Sequence, residues 1–175
     1  MKYITHFTSI DTFMTERLLA VKVQATDLEK LLLLHGDPDV MATLGGLRTA
    51  EQSMDNLQWN LAQWEDHGFG LWVFYLKDTK QWVGNAGIRH LKVNNQEEIE
   101  LSYALQQPFW NLGLATEMAL ACSEIAFDIL HLDNLVAITL TTNKPSQRVM
   151  EKAGFTYESD ITHADLPHVL YRRTH

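Results

Sequence analysis

Three strand-like runs in a row, followed by an abrupt change of period, restrict this chain more than any other feature. The runs are LWVFYL (71–76), QWVGNAGIRHL (81–91) and EIELSYAL (98–105). The polar turn Lys77-Asp78-Thr79-Lys80 separates the first two, which read as a hairpin with a third strand to follow. Pro108 then interrupts the strand pattern, and WNLGLATE (110–117) runs through one glycine into helix-forming residues. From there Leu114, Met118, Cys122, Ile125 and Ile129 form one apolar stripe at helical spacing. A buried strand, LVAITL (135–140), comes next. A mostly antiparallel first half that feeds a strand–helix–strand unit is an α+β fold.

The flanking segments extend the same sheet. Leu18 to Val23 reads as a short apolar strand. Thr26 with Glu29 fits a capping box, and Thr49 with Gln52 fits a second one. The second opens a long helix with Met54, Leu57, Leu61 and Trp64 at helical spacing, ended by Gly68 and Gly70. Asp37 and Pro38 start a short turn or helix between them. Pro145 to Ala153 is a short helix with Gly154 as its C′ residue, and two last strands are expected near 155–161 and 169–172. No linker, repeat or low-complexity tract divides the chain, so 1–175 is expected to be one domain, with 1–15 as an N-terminal extension.

Composition excludes several classes. The chain is ordinary for a globular protein at 46% hydrophobic and 21% charged residues. A net charge of −8 argues against nucleic acid as a partner and mildly favours cationic ones. No apolar run approaches the length of a membrane span, and the opening residues MKYITHFTSIDTFMTER lack a leader's apolar core, so no membrane association is expected. Cys122 is the only cysteine and sits on the apolar stripe, where a small buried residue is expected rather than a nucleophile. A reducing cytoplasm is the expected setting.

Two segments carry chemistry. In 110–116 a glycine bend opens a helix, so the amides of Leu112, Gly113, Leu114 and Ala115 could hold an anion, with Thr116 adding a hydroxyl. Hydrogen bonds to charged oxygens are worth about 1.5–3 kcal/mol each, and the helix dipole adds roughly 0.3–1 kcal/mol. The loop has no lysine and a single glycine, which excludes both a P-loop and a dinucleotide fingerprint. In TTNKPSQRVMEKAGF (141–155), Asn143 and Ser146 stand at a second strand-to-helix junction, where they either cap the helix or serve a ligand. Smaller groupings read as structure. Gly84 and Gly87 mark close packing or a bulge on a strand, and Trp59, Trp64, Trp72 and Trp82 mark core or groove lining. His35 with Asp37 and Asp39 reads as a solvated turn rather than a metal site, and His163 with Asp165 and His168 as a loop, with substrate contact as its alternative. Glu124 and Asp128 read as a solvated helix face.

Together, EIELSYALQQPFWNLGLATEMA and NKPSQRVMEKAGF resemble the GCN5-related N-acetyltransferase (GNAT) family, particularly its ribosomal-protein N-acetyltransferase-like branch. That branch reads E-x-G-Y-x-L, then W-G-x-G-x-A-T-E, then N-x-x-S-x-x-V-x-x-x-x-G-F. The likeness runs from ERLLAVKVQATD (16–27) to near the C-terminus. Ser102 and Asn111 stand where the branch often has glycine, and Trp110 stands where the wider family begins its loop with Gln or Arg.

The resemblance implies a mixed, mostly antiparallel central sheet of about seven strands flanked by helices, with a V-shaped cofactor opening between two central strands. It implies acetyl-CoA as co-substrate and no metal. The amides of 112–116 would hold its pyrophosphate, and main-chain groups of Tyr103 and Leu105 would pair with its pantetheine arm, with Asn143 beside it. Ser146 would sit near the sulfur as proton donor to the leaving thiolate, with Tyr103 a weaker donor. A backbone N–H near Leu101–Tyr103 would meet the oxyanion. Glu100 is either the general base or a structural or substrate-orienting group; the next strand offers only Thr139, Thr141 and Thr142. The expected acceptor is a primary amine, a protein N-terminal α-amine first and a polyamine or amino-sugar second. A non-catalytic acyl-CoA-binding module is the alternative, and the chain is expected as monomer or homodimer.

Overall fold

The computed structural model describes all residues 1–175. Nine strands form one sheet: β1 (His6–Ser9), β2 (Thr12–Met14), β3 (Leu18–Lys22), β4 (Leu71–Leu76), β5 (Trp82–Val93), β6 (Gln96–Leu105), β7 (Asn134–Leu140), β8 (Thr156–His163) and β9 (Leu166–Thr174). The helices are α1 (Leu28–His35), α2 (Pro38–Met41), α3 (Ala50–His67), α4 (Leu114–Glu124) and α5 (Lys144–Lys152). The sheet order is β1-β2-β3-β4-β5-β6-β7-β9-β8. Every neighbouring pair is antiparallel except β6–β7, which is parallel because α4 crosses over between them. The expected α+β architecture is present, with two strands more than the seven that the pattern suggested. The additional pair is the β1–β2 hairpin, so residues 6–14 of the presumed extension belong to the sheet.

The aromatic residues lock the first half of the sheet. Phe13, Trp72 and Phe74 are fully buried and meet edge to face, with Phe13 5.6 Å from Trp72 and 6.1 Å from Phe74. Trp64 of α3 joins them at 5.2 Å from Trp72. Gly84 and Gly87 are there for close approach. A Cβ on Gly84 would stand 2.2 Å from Ala104 O, and one on Gly87 2.5 Å from Gly70 O. On α3 the buried face is Ser53, Leu57, Asn60, Gln63 and Trp64, while Met54 is exposed.

Two local readings of the sequence are corrected. The first helix is not boxed by Thr26 and Glu29. Asp27 accepts from the Gln24 N–H (2.8 Å) and pairs with Lys30 (2.7 Å), so the chain turns one step earlier, through a short 3-10 turn at 25–27. The Thr49–Gln52 box forms as expected. Glu124 is not on a solvated face. It is buried, and its carboxylate accepts the backbone N–H groups of Lys2, Tyr3 and Ile4, the last at 2.7 Å. Beyond Glu124 the helix widens into a π turn over Ile125–Ile129, closed by Leu130 N–H onto Ile125 O. No helix is long and apolar enough to cross a membrane.

Candidate active site

Strands β6 and β7 share a single registered pair, Glu100 with Val136. Past it β6 stays paired with β5 as far as Leu105, and β7 stays paired with β9 as far as Leu140. Each strand therefore presents one unpaired edge to the other, and the sheet opens as a V toward the C-terminal ends of both. Open α/β sheets place ligands at such a position. The loop between β6 and α4 and the loop between β7 and α5 flank the mouth.

In the first loop, Gly113 sits at φ 77° and Asn111 at φ 60°. The left-handed bend turns the chain into α4 with no side-chain cap. The N–H groups of Leu112, Gly113, Leu114, Ala115 and Thr116 make no hydrogen bond within the chain; the first helical bond is Glu117 N–H onto Gly113 O at 3.1 Å. Five donors converge on a helix N-terminus, as anion binding requires. Leu114 is buried and anchors the bend, whereas Leu112 is exposed.

Arg17, which sequence reasoning missed, reinforces this loop. Its Nη1 donates to Leu112 O (2.8 Å) and its Nε to Glu117 (2.7 Å). Its other terminal nitrogen passes beside Gly113, 3.5 Å from where a Cβ would stand. Glu117 also accepts from the Arg17 N–H (2.8 Å) and the Thr15 hydroxyl (2.5 Å). The contact joins residues a hundred positions apart, so no local signal in the sequence reports it.

At the second junction Asn143 Oδ1 accepts the Ser146 N–H (3.2 Å), and its Nδ2 donates to Thr139 Oγ1 (3.0 Å). Asn143 therefore caps α5, and one amide hydrogen remains for anything in the opening. Tyr103, on the facing strand, reaches across: its Oη lies 2.9 Å from Ser146 Oγ and donates to Ser146 O at 3.1 Å. Burial pushes the Tyr103 hydroxyl well above its ordinary pKa, so it stays protonated as a donor. Leu105, also expected beside the ligand, is buried, and its carbonyl already accepts Trp110 Nε1 at 2.8 Å.

Glu100 marks the apex of the V. It is 3% exposed, and its Oε2 accepts from Arg89 Nε, its direct cross-strand partner. Oε1 makes no hydrogen bond within the chain, and no buried side-chain polar atom lacks a partner, so Oε1 keeps contact with solvent. The β8–β9 hairpin reaches the same place. Burial and the charges of His168 and Arg89 lower the His163 pKa, while Glu100 opposes them. No group of three or more His, Cys, Asp or Glu is placed to hold a metal ion, and the His163 and His168 rings merely meet edge to face at 5.4 Å. Cys122 is fully buried, which pushes its thiol up and keeps it unreactive.

Comparison with known proteins agrees with this geometry. Residues 17–156 match the family described as an acetyltransferase (GNAT) domain. The uncharacterised protein YkkB of Bacillus subtilis is 33% identical over 141 residues, covering 81% of this chain and 82% of its own. The crystal structure of an acetyltransferase from Agrobacterium tumefaciens superposes with a TM-score of 0.84 at 27% identity, covering 97% of each chain. RimL, a ribosomal L7/L12 α-N-protein acetyltransferase solved with coenzyme A, shares the fold at a TM-score of 0.74 and 15% identity, over 91% of this chain and 95% of its own. The chain belongs to the GNAT acetyltransferase family and is an acyltransferase.

Proposed function

We propose that the protein transfers an acetyl group from acetyl-CoA directly to a primary amine, with a protein N-terminal α-amine as the first-choice acceptor. The observation that carries the reading is the pairing of five free amides at the α4 N-terminus with a Tyr103–Ser146 hydrogen bond across the mouth of the same opening. The amides suit a pyrophosphate, and the exposed strand edges of β6 and β7 suit the amides of a pantetheine arm. Coenzyme A in the RimL structure supports the cofactor half of this reading.

In the reaction the neutral amine nitrogen attacks the thioester carbon, the C–S bond breaks, and the sulfur needs a proton. Ser146 Oγ–H supplies it and regains a proton from water in the opening, while Tyr103, held protonated by burial, donates to the Ser146 carbonyl and keeps the serine hydroxyl in place at 2.9 Å. The proton lost by the amine passes to Glu100 Oε1, directly or through water, while Arg89 keeps the carboxylate in place. The α-amine fits a site with one base candidate, since its pKa near 7.7–8.0 leaves a useful neutral fraction, whereas lysine near 10.4 does not. A cytoplasmic setting accompanies this reading. The name of RimL supports the α-amine, and a small amine such as a polyamine or amino-sugar is the second reading.

The deciding experiment is an amine-library acetylation screen read by mass. Free N-terminal peptides giving product support the assignment. Product from spermidine or an amino-sugar alone moves it to small molecules, and tight acetyl-CoA binding with no product from any amine makes the chain a sensor module.

A further inference from the structure

Arg48 ends the loop between α2 and α3, half-buried, and no carboxylate lies within ion-pair distance of it. Unpaired guanidinium charge withdrawn from water is costly unless something answers it. The position is nonetheless built. The Arg48 N–H donates to His35 O at 3.2 Å, and its Nη1 donates to His35 Nε2 at 3.2 Å. His35 Nδ1 stands 2.9 Å from Ser53 Oγ on α3, and both His35 and Ser53 are buried. A guanidinium can only donate, so Nε2 must be the bare nitrogen, and Nδ1 carries its hydrogen to Ser53. Burial and the Arg48 charge lower the His35 pKa to about 4, so the ring stays a neutral acceptor near pH 7.

Arg48 leads into α3, and Trp59 of that helix lies 5.7 Å under the guanidinium of Arg89, which is itself committed to Glu100. Burial first and the charge of Arg89 second lower the Arg48 pKa. Glu100, the acid at the apex of the opening, is thus taken by Arg89 and leaves Arg48 unanswered, in a chain of net charge −8. Resting on the N-acetyltransferase reading, we propose that Arg48 is the seat for a carboxylate carried by the amine acceptor: the substrate is an amine that also bears an acid, and the His35–Ser53 pair aims the guanidinium at it. Remaining Arg48 donors match a carboxylate in fork geometry, which an ammonium in its place could not.

The test uses matched amines that differ only in acid against amide: alanine with alaninamide, and the dipeptide amides Ser-Glu-NH2 with Ser-Gln-NH2. Each is titrated by calorimetry into CoA-saturated protein and assayed for acetylation. The acid members should bind about tenfold or more tightly, as one charge-assisted contact provides. Arg48→Gln should bring that preference toward one, and Arg48→Lys should keep part of it. Equal binding of acid and amide, an acid preference that survives Arg48→Gln, or an Arg48→Gln defect in acetyl-CoA affinity instead would overturn the carboxylate seat. Acid-selective binding with no acetylated product would leave the seat standing and sink the enzymatic reading. Acetylation of acid and amide alike would do the reverse.

Discussion

Replacing Gly113 with valine puts a β-branched side chain where the backbone stands at φ 77°, in the left-handed region that glycine alone enters cheaply. Space is not the obstacle, because a Cβ there would touch Arg17 Nη2 at an ordinary 3.5 Å. The bend must therefore reopen, turning amides away from their focus, and acetyl-CoA affinity should fall tenfold or more, the worth of about one bond to a charged oxygen. Calorimetry that finds full affinity in a folded Gly113→Val variant would dismiss the loop. Ser146→Ala leaves the Tyr103 hydroxyl its bond to the residue 146 carbonyl, so the wall survives while the proposed proton route to sulfur is removed. Turnover should drop well beyond any loss of acetyl-CoA affinity, since a donor to the leaving group acts in the transition state. Equal losses in both would assign Ser146 to binding or capping. Glu100→Gln keeps the shape of the apex and removes the charge, so turnover should slow and the pH–rate curve below neutrality should change form. A curve that merely scales down would leave Glu100 as the partner that holds Arg89 and nothing more.

Helix α4 shows how much of this was legible. The stripe of Leu114, Met118, Cys122 and, just past the helix, Ile125 is buried as the spacing implies, while Ile129 is half-buried, and the start at Gly113 follows from the glycine itself. Glu124 was unreadable, because an i,i+4 pair of acids has the same pattern whether solvent or another segment covers it. The cover comes from residues 2–4, about a hundred and twenty positions away. Glu124→Ala strips those N–H groups of their acceptor and should lower the unfolding free energy by about 2–3 kcal/mol. Asp128→Ala, whose carboxylate is 42% exposed, should stay within about 0.5 kcal/mol. Urea unfolding that ranks the two alike would contradict this account. The site follows the same rule. Asn143 and Ser146 stand at a junction that the sequence pattern marks, and Tyr103 is named only by the family resemblance; the fold brings Tyr103 Oη to 2.9 Å from Ser146 Oγ. Arg89 opposite Glu100 could have been found by counting along the β5–β6 hairpin. Arg17 and Arg48 could not, since their partners are fixed only by the finished fold.

At the scale of the molecule, the β1–β2 hairpin escaped notice because His6–Ser9 is mostly exposed and only Phe13 of the hairpin is fully buried. A strand with one core residue carries almost no period. His35 links the acceptor side to global stability. Its folded pKa is about 4 and its ordinary value 6.5, so the unfolded chain binds the extra proton between them. Stability is therefore complete above about pH 6.5 and declines as pH falls toward 4, by up to about 3 kcal/mol. Denaturant midpoints measured from pH 7 to pH 4 should show this slope, and His35→Gln should flatten it; an unchanged slope would remove His35 as its source. The lone Glu100–Val136 pair has a consequence of its own. It makes the sheet two plates, of six strands and three, meeting along a seam that is latched at one end only. A molecule lying in the V with hydrogen bonds to both edges continues the interrupted ladder as a surrogate strand. For acetyl-CoA bound as proposed, occupying the site and closing the sheet are one event.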